Sequence, residues 1–175
     1  MKKLIYAISL LILGVLVSCS GSHKQKGLVY FNDFEDSKGW NPFMNLTRFP
    51  AHSGGFSVKM DSVHVYGPTL RVRLNEISLL PIRKLKYSFW CFQKSTQAKA
   101  KFVVSIEDPG NKTLLWEGKD FKDLTTVIGK WVEIKGECNL VKDKSNDGIN
   151  TVSIYPWNVS KEEIDIDDFR VEFVL

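Results

Sequence analysis

The chain ends on IDIDDFRVEFVL, residues 164–175, and the alternation of apolar residues in that run decides the fold class. Ile164 and Ile166 set one phase; Phe169, Val171 and Phe173 set the other. Residues two apart share a face of a β-strand, so such a run reads as a strand with one buried side. The phase slips across Asp167-Asp168. One extra residue does this in a β-bulge, where two residues oppose one on the neighbouring strand. A bulge there can aim both carboxylates at one point outside the core. The plainer reading is two solvated acids at a strand entry.

The same alternation runs through the rest of the chain. LKYSFWCF (85–92) sets Leu85, Tyr87, Phe89 and Cys91 against Lys86, Ser88, Trp90 and Phe92. TLRVRLN (69–75) sets Leu70, Val72 and Leu74 against Arg71 and Arg73. KFVVSIE (101–107) and KTLLWEG (112–118) flank DPGN, a Pro-Gly turn that predicts a hairpin. GLVYFNDFE (27–35), FSVKM (56–60), WVEIKGECNL (131–140) and NTVSIYPW (150–157) complete the strands. Only residues 117–129 hint at a helical turn. About nine strands without crossover helices predict an antiparallel sandwich or barrel.

The N-terminus is a processing signal rather than part of the fold. MKK is a basic start, and residues 4–17 are apolar and uncharged, too short for a spanning helix. LVSC, Leu16 to Cys19, resembles the lipobox of bacterial lipoproteins. That resemblance implies a signal peptide over 1–18, lipidation of Cys19, and a flexible polar tether through residue 27. Ser20, rather than Asp, after the cysteine favours the outer membrane, facing either the cell surface or the periplasm. Acyl chains at about 0.8 kcal/mol per buried methylene anchor such a protein stably.

Residues 28–175 suit one domain with a sizeable core. Without Lys2 and Lys3 the 24 basic residues become 22 against 20 acidic, a net charge near +2 with the signs interspersed. Nucleic acid is therefore excluded as the expected partner. Cys91 and Cys138 each continue an apolar strand phase. A disulfide and a pair of buried free thiols both fit that pattern.

Three segments in order resemble carbohydrate-binding modules of the galactose-binding-like jelly-roll fold. NDFEDSKGW (32–40) is similar to their opening strand and Gly-Trp turn, AHSGGFSVKM (51–60) to their S-G-x-x-S-L-K-V segment, and IDIDDFRVEF (164–173) to their closing Ile-Asp-Asp-Val strand. YSFWCF and GKWVEI look like their middle strands. The loops NPFMNLTRFPAH (41–52) and MDSVHVYGP (60–68) depart from the pattern, and such loops commonly shape a ligand site. The resemblance implies an all-β jelly-roll sandwich that binds a glycan. It also implies a structural calcium joining the chain ends, held by Glu35, Asp167 and Asp168 with oxygens near Ser53, and with Asp33 in reserve. Calcium takes six to eight oxygens, so these are suitable donors.

Modules of that kind stack aromatic rings on sugars and bind hydroxyls with polar side chains. Trp90, Trp116, Tyr155 and Trp157 are the ring candidates, with Arg71 and Arg73 beside them; ordinary burial is the competing reading for each. Trp40 and Trp131 read as packing. Catalysis finds no support. No carboxylate pair stands in a recognisable glycosidase context. His52 and His64 lack Glu or Cys at metal-ligand spacing, and no Ser-His-Asp or Cys-His set is present. The expected protein is a lipid-anchored, extracytoplasmic, non-catalytic glycan binder. An envelope module that docks another protein on the same scaffold is the alternative.

Overall fold

The computed structural model describes residues 27–36, 40, 45–121, 126–140 and 147–175. The signal segment and Cys19 lie outside the described residues. In chain order the strands are β1 (Val29–Asn32), β2 (Leu46–Thr47), β3 (Ser57–Met60) and β4 (Leu70–Arg73). A single helical turn, α1 (Leu74–Ile77), follows. Then come β5 (Lys84–Gln93), β6 (Ala100–Glu107), β7 (Thr113–Asp120), β8 (Trp131–Asn139), β9 (Thr151–Asn158) and β10 (Ile164–Val174). Of the residues 117–129 where a helical turn is anticipated, 117–120 end β7, Phe121 adopts a 3-10 conformation, and 122–125 lie outside the described residues.

Two antiparallel sheets pack face to face as a jelly-roll sandwich. One has six strands, ordered β2-β3-β10-β5-β8 with β1 also on β10; the other has four, ordered β4-β9-β6-β7. The inward phases are the apolar ones read from sequence. Leu85, Tyr87, Phe89 and Cys91 of β5 face Phe102, Val104 and Ile106 of β6 across one buried cluster. Its centre is aromatic: Phe102 stacks on Tyr87 at 3.6 Å, and Phe89 meets Phe169 edge-on at 5.7 Å. Trp40 closes one end against Phe169 at 5.0 Å.

The bulge is present. Asp167 pairs with Trp90 and Arg170 with Ser88, so Asp168 and Phe169 together oppose Phe89. Asp168 takes the extra position with φ 48°, a left-handed conformation that Asp adopts more readily than most residues. Ile164 and Ile166 before it, and Phe169, Val171 and Phe173 after it, all remain in the core. The bulge also marks a change of neighbour. Ile164–Ile166 pair with β3, whereas Phe169–Glu172 pair with β1, on the same edge of β10.

Cys91 and Cys138 are buried free thiols. They sit on adjacent strands but out of register: Cys91 pairs with Val132, and Cys138 with Leu85, six residues further along the ladder. At about 3.3 Å per residue they lie roughly 20 Å apart, beyond disulfide reach. Burial pushes the Cys91 thiol up to about 12.

Candidate functional site

The outward phase of the four-stranded sheet is laid out by its register. Lys101, Val103, Ser105 and Glu107 of β6 point away from the core. Opposite them on β9 stand Trp157, Tyr155, Ser153 and Thr151. On β7, Asp120, Gly118 and Trp116 lie opposite Lys101, Val103 and Ser105. On the far side of β9, Arg71 and Arg73 of β4 pair with Ser153 and Thr151, and Tyr66 forms an isolated bridge with Trp157. Three strand spacings of about 4.8 Å separate β4 from β7, so the face is roughly 14 Å across.

One half of this face is aromatic. Tyr66 lies near parallel to Trp157, with centroids 6.3 Å apart, and meets Tyr155 edge-on at 5.7 Å. Trp116 reaches along β7 toward Gly118. A Cβ at Gly118 would approach its ring to 2.7 Å, so glycine is what allows the indole to lie there. Burial raises the Tyr155 pKa, and the nearby Trp116 indole N–H only partly offsets this. Between these rings lies Val103, which faces outward yet is 0 % exposed, so it is the floor beneath them. Tyr66 is 59 % exposed and Trp116 49 %, so both rings present open surface.

The other half is polar. Arg71 donates to Ser153 Oγ at 3.0 Å and to Glu107 Oε2 at 3.1 Å. Ser105 and Ser153 lie low between the rings and this pair. The face runs into a groove of about 680 Å³ where Arg71 and Arg73 stand with Asn75, Asp108 and Asn111. Flat rings beside a fixed row of donors and acceptors match the amphipathic surface of a sugar: its C–H faces stack, and its hydroxyls bond at the edge. Both carboxylates on the face are tied to cations, Glu107 to Arg71 and Asp120 to Lys101 at 2.9 Å.

The structure thus brings together Trp116, Tyr155, Trp157, Arg71 and Arg73. It places Trp90 elsewhere, on the outward face of the six-stranded sheet, because β5 belongs to that sheet. There His52 lies flat on Trp90, with centroids 3.8 Å apart and planes 14° apart, and meets Trp131 edge-on at 5.7 Å. Phe92 leans on Trp131 at 5.5 Å. These rings are covered by the loop that carries His52. Sequence reasoning missed Tyr66, Glu107 and the paired serines. Tyr66 sits in the unmatched loop 60–68, which is the one signal that pointed to it.

That covering loop is tied down by the residues read as calcium ligands. Asp167 is fully buried; its Oδ2 accepts from the backbone N–H groups of His52 at 2.7 Å and Ser53 at 3.2 Å, and its Oδ1 from that of Asp168 at 2.7 Å. Burial raises the Asp167 pKa against these bonds. Asp168 accepts from His52 Nδ1 at 2.6 Å and from Ser53 Oγ at 2.7 Å. Glu35 Oε1 accepts from the Gly55 and Phe56 N–H groups at 2.7 and 3.0 Å, and Asp33 from Glu35 N at 3.3 Å. Every oxygen of both aspartates is therefore engaged by an N–H or O–H donor, and Glu35 grips a different part of the loop. Among the described residues no group of three His, Cys, Asp or Glu is placed to hold a metal.

No family model matches the sequence, and no curated protein is similar to it. Solved structures are. The CBM22-1 xylan-binding domain from Paenibacillus barcinonensis Xyn10C superposes with a TM-score of 0.55 at 17 % identity, over 85 % of this chain and 96 % of that one. A xylan-binding domain from CBM 22, formally called x6b, gives 0.56 at 12 % identity, again over 85 % and 96 %. The CBM22-1-GH10 modules of Clostridium thermocellum endo-1,4-beta-D-xylanase 10B, complexed with xylohexaose, give 0.55 at 19 % identity over 85 % of this chain and 28 % of that one. At such identities the likeness is one of fold, and the chain has the jelly-roll fold of these carbohydrate-binding modules.

Proposed function

We propose that the protein binds a glycan across the outward face of β4-β9-β6-β7 and catalyses nothing. The observation that carries this reading is the convergence of Tyr66, Trp116, Tyr155 and Trp157 beside the Arg71–Glu107 pair on one exposed sheet surface. The fold supports it, since structural neighbours are xylan-binding modules, one of them joined to a GH10 module and complexed with xylohexaose. The ion pairs that engage Glu107 and Asp120 support the absence of catalysis, because a glycosidase needs one carboxyl free to protonate the leaving group.

The lipobox-like LVSC adds an address to this reading. The module is tethered by acylated Cys19 to the outer membrane, outside the cytoplasm, where it meets polysaccharide. An open face with little ordering of loops gives dissociation constants in the micromolar to millimolar range, about −8 to −4 kcal/mol. The test is to titrate the protein with xylohexaose and other oligosaccharides while following tryptophan emission. A saturable shift is expected, and Trp157→Ala should remove most of it while the melting curve holds. If no glycan moves the emission of a folded protein, the alternative of an envelope protein partner on this face takes precedence.

A further inference from the structure

We propose that one end of the sandwich rests on the lipid surface, with the exposed leucines of the β4–β5 connection as its contact. This inference rests on the lipid-anchored reading above. Gly27, where the tether joins the domain, packs on the backbone of Phe173, and Leu28 accepts from Phe173 N at 3.0 Å. Arg83 donates its N–H to Val174 O at 2.8 Å, which sets the Ser78–Arg83 connection on the other side of the β10 terminus. The 147–150 loop joins the same rim, since Gly148 O accepts from Asn75 N at 2.9 Å.

Apolar side chains crowd this rim without burial. Leu79 is 94 % exposed, Ile149 56 %, Leu80 51 % and Leu28 41 %. Arg83 is exposed among them, and in the sequence Lys24 and Lys26 stand just before Gly27. Apolar side chains flanked by cations are what an anionic lipid–water interface takes up. Glu76 and Asp147 are also exposed nearby, so the leucines rather than net charge carry the contact.

The far rim has its own exposed apolar group, Val63 at 78 %, so exposure alone does not choose between the ends. The tether does. Seven residues, and so eight Cα–Cα steps, separate Cys19 from Gly27. Fully extended they span about 28 Å, and as a flexible chain roughly 16 Å. β10 runs the length of the sandwich in eleven residues, about 33 Å. The 61–69 loop leaves β3 at Met60, which pairs with Ile164 at the opposite end of β10. Standing the protein on that far rim would lift Gly27 about 33 Å from the bilayer, more than the tether can reach. The near rim meets lipid with the tether relaxed. The Tyr66–Trp157 end of the aromatic face is then held away from the membrane.

The experiment uses the full, acylated chain in vesicles of phosphatidylethanolamine with a minor fraction of phosphatidylglycerol. A polarity-sensitive fluorophore is attached at Leu79→Cys or, separately, at Val63→Cys; the buried Cys91 and Cys138 do not compete for the label. Nitroxide-bearing lipids should quench the Leu79 label several-fold more than the Val63 label, and its emission should move to the blue. Equal quenching of the two labels on vesicle-bound, acylated protein overturns the docking while leaving the anchor intact. A chain without an acyl group that stays in solution overturns the anchor, and the docking with it.

Discussion

Both outward faces of the sandwich carry a row of aromatic rings, and the two rows have opposite fates. On the six-stranded sheet Trp90, Phe92 and Trp131 lie under a loop that sets His52 flat on Trp90, and three carboxylates hold that loop in place. On the four-stranded sheet Tyr66, Tyr155 and Trp157 pack on one another beside Trp116 and over Val103, and Tyr66 and Trp116 remain exposed. An outward aromatic is thus not in itself a binding site. What separates platform from packing here is whether another segment of the chain has the acceptors to stay on top of it.

The comparison breaks most sharply at Asp167. Asp167→Ala leaves the N–H groups of His52, Ser53 and Asp168 without their acceptor. At about 1–3 kcal/mol for each group that finds no water, the loss should be about 4 kcal/mol, read as the midpoint of denaturant unfolding. Glycan affinity on the other face should survive wherever the variant is folded.

Asp165 gives the next largest effect, with the opposite sign. It lies on the covered face, fully buried, and neither carboxylate oxygen has a hydrogen-bond partner. Burial raises its pKa from 3.8 to about 6, against the attraction of Lys94 and Lys59. The folded state therefore binds this proton more tightly than the unfolded chain. The associated stability is complete below the unfolded value and is lost as pH rises through about 6, by about 3 kcal/mol. Asp165→Asn should flatten that part of the stability profile, with its gain over the parent chain appearing above pH 6 and vanishing near pH 4. A profile left unchanged by the substitution would show that Asp165 has found a partner.

A smaller contrast separates the two tryptophans. Trp90→Ala removes the surface on which His52 lies and should cost about 2 kcal/mol of stability without changing affinity. Trp116→Ala should weaken glycan binding about tenfold, or 1.4 kcal/mol, and leave stability within about 0.5 kcal/mol. Equal effects of both variants on stability would erase the distinction between the faces. Least of all should a chelator matter: with the aspartate oxygens already engaged, the melting temperature should hold in its presence. A fall of several degrees that Asp167→Ala abolishes would restore a bound calcium.

The sandwich was legible because its strands alternate and the irregularity in β10 announced itself. The slip at Asp167-Asp168 is the bulge, since an extra residue must change the phase of everything beyond it. The site was legible in part. Trp116, Tyr155 and Trp157 stand on the outward phase of their strands, and so does Trp90. Alternation tells which residues share a face of one strand, but not which strands share a sheet. That assignment rests on pairings such as Ser105 with both Trp116 and Ser153, which lie far apart in the chain. Tyr66 enters by a single bridge from a loop, where no periodicity marks it. The acidic pattern showed where carboxylates gather. It did not show that backbone N–H groups of residues 52–56 would satisfy them.

The position of β10 has a consequence for the timing of assembly. β10, made after the other described strands, is the spine of its sheet, paired with β5 along one edge and with β3 and β1 in succession along the other. Until Ile164–Val174 are made, β1 and β3 lack the strand that joins them to β5, and the sandwich has no centre on that side. Pairing between the first and last strands also spans almost the whole chain, which slows the closing step. A chain built this way cannot close its larger sheet until β10 has been made.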